Sequence, residues 1–348
     1  MFLILVGVLL AGYTTAYVVS EEVRYLSRAG IEETRILQAR EDIADLVADP
    51  ATDSVTRASL KLVIDARDFA ARLGLDAKET YTTYADVKRD TLLLVLSASP
   101  RNCLCPYLWK YPIVGRVPYK GFFDFEMAKR AEMKLADQGY DVYMRPSSAF
   151  STLGWFNDPL LSTAMSRDTM ELAALVLHEI AHNTLYVKSA TPFNESFAQM
   201  VGYRGAEAFF LARGDSADAR RAADRWHDEI LLGHYYHELS QRLDSLYQSP
   251  DTAAVAGGRN EIAAWARTYL EATLGPQLRT YRITRFTERP INNAQIIAAR
   301  IYRDRLHLFE AWFRKNDGRV DSAVASLNRL VEGVEGDSAY AVLERALQ

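Results

Sequence analysis

At 348 residues, with 49% hydrophobic and 25% charged residues and a net charge of −4, the chain has an ordinary globular composition and is long enough for one large domain or two. That balance carries no electrostatic footprint for nucleic acid, so no nucleic-acid partner is expected. No basic cluster, glycine-rich phosphate loop or internal repeat stands out.

The chain begins with FLILVGVLLAGYTTAYVV, residues 2–19, which holds no charge and is long enough for a marginal membrane-spanning helix. A signal-peptide core is usually shorter and follows a basic region, and no Lys or Arg precedes this one. Leu9-Leu10-Ala11-Gly12 looks like a lipoprotein box, but Tyr13 stands where the lipidated Cys would be. Residues 1–19 therefore read as an uncleaved anchor, with a cleaved signal as the alternative. Residues 20–348, which contain no Pro/Ser linker, read as a single domain.

An amphipathic helix is expected over 20–47, ending near Asp49-Pro50, and a second over 54–73 with Leu60, Val63, Ile64 and Leu73 on its apolar side. TLLLVLS, 91–97, has the run and length of a buried strand. Cys103 and Cys105 point to one face of an extended segment, near the upper separation limit for a disulfide. Tyr111 to Phe123, punctuated by Gly115, Pro118 and Gly121, reads as strand, turn and loop. Arg116 and Lys120 within it are candidates for a substrate carboxylate. A helix over 124–138 and a strand over Asp141–Met144 follow. Ser151 to Phe156 is a short strand-like run ending in the turn Asn157-Asp158-Pro159. Extended peptides commonly pair with strand edges, which makes Thr152, Leu153 and Gly154 substrate-binding candidates.

The next element carries the chemistry. HEIAH, 178–182, places His178 and His182 one helical turn apart on one face, where two neutral imidazoles can share a zinc ion. Glu179 sits one position round, as general base for an attacking water. Leu172, Leu175, Val176 and Ile180 make the helix apolar. Asp168 is expected to cap it, with Glu171 completing a capping box. A catalytic zinc usually takes a third protein ligand and leaves one position open. Thr191-Pro192 look like the N-cap and first residue of a second helix whose first turn contains Glu195, the expected third ligand. Ala198 and Gly202 on the same side would let the two helices approach closely. Asn194 and Gln199 are candidates for orienting the ligands.

Beyond this pair, residues 204–275 carry helical spacing, interrupted by an expected loop at Asp251–Asn260 containing Gly257-Gly258. Helices are expected over 293–315 and 320–347. Asn292 and Asn293 are candidates for substrate binding or for capping the first of these. Tyr302, expected on that helix, is a candidate donor to the developing oxyanion. Strands gather before residue 160 and helices after it. The fold class is α+β and mostly helical: a small sheet in the N-terminal half on a zincin-like helical core, behind the N-terminal hydrophobic helix.

LHEIAHNTLYVKSATPFNESFAQMVG, Leu177 to Gly202, resembles a bacterial family of zinc aminopeptidases known mainly from sequence. The resemblance extends to YPIVGRVPYKGFF, AFSTLGWFNDPLLST and Pro290 to Ala294, in the order and spacing of that family, from about residue 20 to 315. It implies His178, His182 and Glu195 as gluzincin-like zinc ligands and Glu179 as catalytic base. It also implies a peptide substrate and a catalytic part outside the inner membrane of a bacterium. Some gluzincins place an Asp one turn after the ligand Glu; here that position is Gln199. An aminopeptidase also needs an acidic group for the substrate's free amine, and Asp124, Glu126 and Asp158 are available. The competing reading is a non-catalytic, zinc-containing, membrane-tethered protein that binds extended peptides. Glu179 weighs against it, because a structural zinc needs no base and usually has four protein ligands.

Overall fold

The computed structural model describes residues 1–111, 115–148, 158–287 and 292–348. The chain enters through α1 (Phe2–Val19) and α2 (Glu21–Gln38), then a short strand β1 (Arg40–Asp42) and α3 (Ile43–Ala48). α4 (Ser54–Arg72) is followed by β2 (Thr83–Ala85), β3 (Leu93–Ser99), β4 (Trp109–Tyr111), β5 (Gly115–Val117) and β6 (Lys120–Phe122). α5 (Phe125–Asp137), β7 (Asp141–Ser147) and β8 (Leu160–Leu161) lead to the helical half. That half contains α6 (Thr169–Thr184), α7 (Thr191–Ala212), α8 (Ser216–Leu246), α9 (Thr252–Tyr269), α10 (Thr284–Thr287), α11 (Asn293–Ile301), α12 (Leu306–Lys315), α13 (Val320–Leu330) and α14 (Ser338–Leu347). The protein is mostly helical with small sheets, in keeping with an α+β class.

Among the described residues no helix is long and apolar enough to cross a membrane. The side chains of residues 2–4 and 7–9 in α1 lie outside the described residues, so the anchor expectation falls partly there. Ser20 separates α1 from α2 and caps α2 by accepting from Val23 N. Arg24 donates to the carbonyls of Tyr17 and Val18, two of the groups that the end of α1 leaves unpaired. α2 is docked by its polar side: the Lys120 ammonium bonds Glu22 at 2.8 Å and sits 4.0 Å from the Tyr25 ring centre. Lys120 is 7% exposed and committed there, which removes it as a carboxylate-binding candidate.

The expected helix over 20–47 is broken. Residues Arg40–Asp42 pair antiparallel with β2, and Asp42 then caps α3 by accepting from Ala44 N and Asp45 N. β2 also pairs in parallel with β8. The main sheet has the order β6-β3-β7, both pairings antiparallel, with Leu94 opposite Phe122 and Pro146, and Val95 opposite Gly121 and Arg145. One face, bearing Leu94, Leu96 and Phe122, packs on Ala128 and Leu135 of α5. α11 lies against β3 and β7. It is fastened there by Asn293 N, which donates to the carboxylate of Asp141. Cys103 and Cys105 form a disulfide with their Cα atoms 5.2 Å apart.

The main core belongs to α4, α6, α7 and the start of α8, closed by α12, α13 and α14. α6 is buried nearly all round because it packs on α4, α7 and α8 together. Three further expectations are corrected. Asp251–Asn260 is not a loop: Asp251 caps α9, which runs through Gly257 and Gly258. A Cβ at Gly258 would come within 2.5 Å of Leu246 Cδ1, so glycine there serves the close packing of α9 on α8. The helix expected over 293–315 breaks at Tyr302–Arg305, where Arg305 adopts a left-handed φ of 48°. Gly233 of α8 makes room for that break, since a Cβ there would stand 2.9 Å from the Arg303 carbonyl oxygen. The C-terminal helix likewise divides into α13 and α14 around Gly333 and Gly336, both at positive φ.

Candidate metal centre and its surroundings

α6 starts where Asp168 accepts from Met170 N and Glu171 N. The reciprocal half of the expected capping box is absent: Glu171 pairs with Arg225 at 2.7 Å, and Asp168 N bonds Ser166 Oγ instead. α7 begins one residue earlier than expected. Ala190 occupies the N-cap position without a side-chain bond, and Thr191 is already helical. The loop between the helices is held by Asn194, 2% exposed, whose amide clasps Val187 N and Val187 O at 2.8 Å each. Asn194 therefore fixes where α7 starts, and through it the position of the next residue, Glu195.

The two helices cross closely. A Cβ on Gly202 would lie 2.9 Å from the Ala174 carbonyl oxygen and 3.3 Å from His178 Cβ, and one on Gly205 would lie 3.1 Å from Leu177 Cδ1. The crossing brings together His178, His182 and Glu195. The two imidazole Nε2 atoms are 3.3 Å apart, and Glu195 Oε2 is 3.4 Å from that of His178 and 3.7 Å from that of His182. All three side chains are half-buried, and their donor atoms lie within 4.8 Å of one another. Donors at the corners of a tetrahedron with zinc-type bonds of about 2.0–2.2 Å stand about 3.3–3.6 Å apart. The spacing thus fits one small cation held by three donors, and the His-His-Glu set could bind a metal of the zinc type.

The electrostatics agree with that fit. Burial pushes the Glu195 carboxyl up, but its bonds to His178 and His182 and their charge outweigh this and hold it at about 2. Burial pushes His182 down, and the Glu195 carboxylate more than offsets it. No side chain or carbonyl among the described residues accepts from Nδ1 of either histidine, and Gln199 makes no hydrogen bond among them.

Glu179 is half-buried beside the triad and makes no ion pair among the described residues. Its charge acts on Tyr81 and Tyr302. Tyr302 is the C-cap residue of α11 rather than a residue within the helix, and its hydroxyl lies within electrostatic reach of Glu195 and Glu179. Burial, then the Glu195 charge, push its hydroxyl up to about 12, against an opposing effect of Arg145. Burial of its hydroxyl end and then Glu195 also raise Tyr119, although that residue as a whole is 45% exposed. Tyr81, 7% exposed at a left-handed φ of 54°, is pushed well above the ordinary range by burial, then by Glu179 and Asp158.

Sequence reasoning missed Tyr81, Tyr119 and Arg145. They lie on separate elements ahead of α6 and share no spacing with HEIAH, so no periodic signal marks them. Of the residues it did propose, Asn292 is a cap and a tie: it accepts from Gln295 N at 2.7 Å and donates to the Val142 carbonyl at 2.9 Å. Asn293 is corrected as a substrate-binding residue. It is 1% exposed and spends its amide on Pro100 O, Cys103 O, Tyr247 and Arg259. Thr152, Leu153 and Gly154 lie outside the described residues. Among the acidic candidates, Asp124 caps α5 and Glu126 pairs with Lys129, whereas the Asp158 charge acts on Tyr81 and Glu33.

Among protein families, the model described as "Putative aminopeptidase" matches residues 24–338. Comparison with curated proteins and with solved structures returns no match.

Proposed function

Because the chain belongs to the putative aminopeptidase family, we propose that it is a zinc-dependent metallopeptidase of the gluzincin kind that removes residues from peptide N-termini. The observation that carries the reading is the tetrahedral spacing of His178, His182 and Glu195 with Glu179 beside them and uncommitted to any ion pair among the described residues. A zinc ion held by these three residues would supply a Lewis acid and lower the pKa of water at neutral pH. Glu179 takes the proton of the attacking water and delivers it to the leaving amine. Tyr302 keeps its own proton across the working pH range and donates to the oxyanion as it forms. Asp158, whose charge reaches Tyr81 together with that of Glu179, gives this side of the site the negative charge that a substrate ammonium group requires.

The N-terminal segment belongs to the same proposal. α1 carries no charge over 18 residues, about 27 Å of helix, and is proposed to anchor the catalytic part outside the inner membrane of a bacterium. Release of the full chain from membranes by alkaline carbonate would argue against an integral anchor.

The central test uses the full chain in detergent. Elemental analysis should find one zinc per chain. Mass spectrometry of a mixed peptide library should show single-residue trimming from N-termini. Glu179→Gln should keep the zinc and lose about 10²–10⁴-fold in rate. Undiminished trimming by that variant would overturn the mechanism, and absence of zinc from the purified protein would overturn the metal assignment.

A further inference from the structure

Arg145 stands apart from the other interior arginines. Arg204 is paired with Glu310, Arg259 with Asp141, Arg225 with Glu171 and Arg303 with Glu229. Arg145 is half-buried too, yet among the described residues it has no ion pair and no hydrogen bond. Its guanidinium nitrogens are open to solvent among the described residues, so this cation is available to an anion from outside.

The register of the sheet shows where that anion would sit. Arg145 is on β7 directly opposite Val95 of β3, and cross-strand partners share a face. It alternates with Pro146 and Met144, whose partners Leu94 and Leu96 lie on the α5 face. Arg145 therefore shares the other face with Asp141, the residue that fastens α11. Tyr302 ends α11, and the charge of Arg145 acts on its hydroxyl and on that of Tyr119. Both hydroxyls also feel Glu195. The site consequently has two poles. Glu179 and Asp158 make it negative on the Tyr81 side, and Arg145, flanked by two neutral phenols, makes it positive on the Glu195 side.

We propose that Arg145 binds the C-terminal carboxylate of the substrate, and that the protein acts on very short peptides, dipeptides foremost, held by both ends across the metal centre. The inference rests on the peptidase reading above and narrows it. In a dipeptide the carboxylate is separated from the leaving nitrogen by one Cα, so it stays close to the scissile bond. A guanidinium can hold it through two parallel N–H···O bonds. The Tyr119 and Tyr302 hydroxyls, protonated at neutral pH, repel no anion.

The test compares the dipeptide Leu-Phe with Leu-Phe amide, which differ only at that carboxylate. Zinc-loaded full-length Glu179→Gln is titrated calorimetrically with each, with and without Arg145→Gln, and the wild type is assayed on both. The acid should bind about 10–100-fold more tightly than the amide, the range of a charge-assisted bond. Arg145→Gln should bring the ratio to within about twofold, and Arg145→Lys should restore part of it as a point charge. A ratio near one before Arg145 is changed, a ratio that survives Arg145→Gln, or no binding of either probe overturns the proposal. Trimming of long peptides by the wild type without acid–amide discrimination would leave the peptidase standing and remove only the anchor. Discrimination in binding with no cleavage of any peptide would keep the carboxylate site and remove the peptidase. Circular dichroism of each variant separates these outcomes from misfolding.

Discussion

Two carboxylates, Glu195 on α7 and Glu310 of α12 held against it, meet opposite fates. Glu195 near the start of α7 faces two imidazoles and, among the described residues, pairs with no Lys or Arg. Nine residues on, about 14 Å along the axis, Arg204 of α7 reaches Glu310 of α12 through bonds of 3.1 and 2.7 Å. Glu310 also accepts from Trp226 Nε1 and Arg314 Nε, both at 2.7 Å. Burial pushes the Glu310 carboxyl up, but Arg204 above all holds it below the usual range, and Glu310 in turn raises Arg204. Where the fold supplies the cation, the carboxylate is a strut between helices. Where it supplies two imidazoles at tetrahedral spacing, the carboxylate belongs to a donor set that could bind a metal.

That contrast can be broken first at the strut. Glu310→Gln leaves Arg204 charged and uncompensated between α7 and α12, and should cost about 3–5 kcal/mol in urea unfolding at neutral pH. The sign with pH follows from the depressed carboxyl of Glu310. Its stabilisation is present above the unfolded value near ~4.3. It is lost as pH falls through the lower folded value, so the gap between wild type and variant should narrow below about pH 4. A gap that widens on acidification would contradict the pairing.

Removing the metal should be the next largest effect. With free zinc at about 100 times its dissociation constant, chelation should lower stability by about 2.7 kcal/mol. Glu310→Gln should show the same chelator increment and His178→Ala almost none, as read by thermal melts with and without chelator. Gly202→Ala sharpens the comparison with the smallest expected change. The added methyl meets Ala174 O and His178 Cβ, so about 1–3 kcal/mol should be lost. The chelator increment should shrink as well, because His178 has to move. Full retention of zinc affinity in that variant would mean that the close crossing does not position the ligand.

Much of the centre is legible in the amino-acid sequence. The i, i+4 histidines, the cap at Asp168 and the Asn-Glu at the head of the next helix are local features, and one helical turn converts them directly into geometry. The strand at 91–97, the second helix and α5 are readable for the same reason. The failures share a cause. Arg40–Asp42 has no strand pattern and becomes one only through β2. Gly257-Gly258 looks like a loop because glycine weakens an isolated helix, yet Gly258 lets α9 settle on Leu246. Asn293 looks like a site residue because a buried, fully bonded asparagine and an exposed one are the same letter.

By itself the sequence determined the class of fold, the two helices that carry the His-His-Glu set and the identity of its donors, since periodicity and spacing act within a few residues of the chain. Only the tertiary structure decided what surrounds them. The break that leaves Tyr302 at a helix end depends on Gly233, far away in α8. The placement of Arg145 depends on the register of β7 on β3. The approach of Asp158 and Glu179 to the buried Tyr81 depends on packing between segments far apart in the chain. Electrostatic reach and close packing are set by distance through space, and chain separation carries no record of that distance.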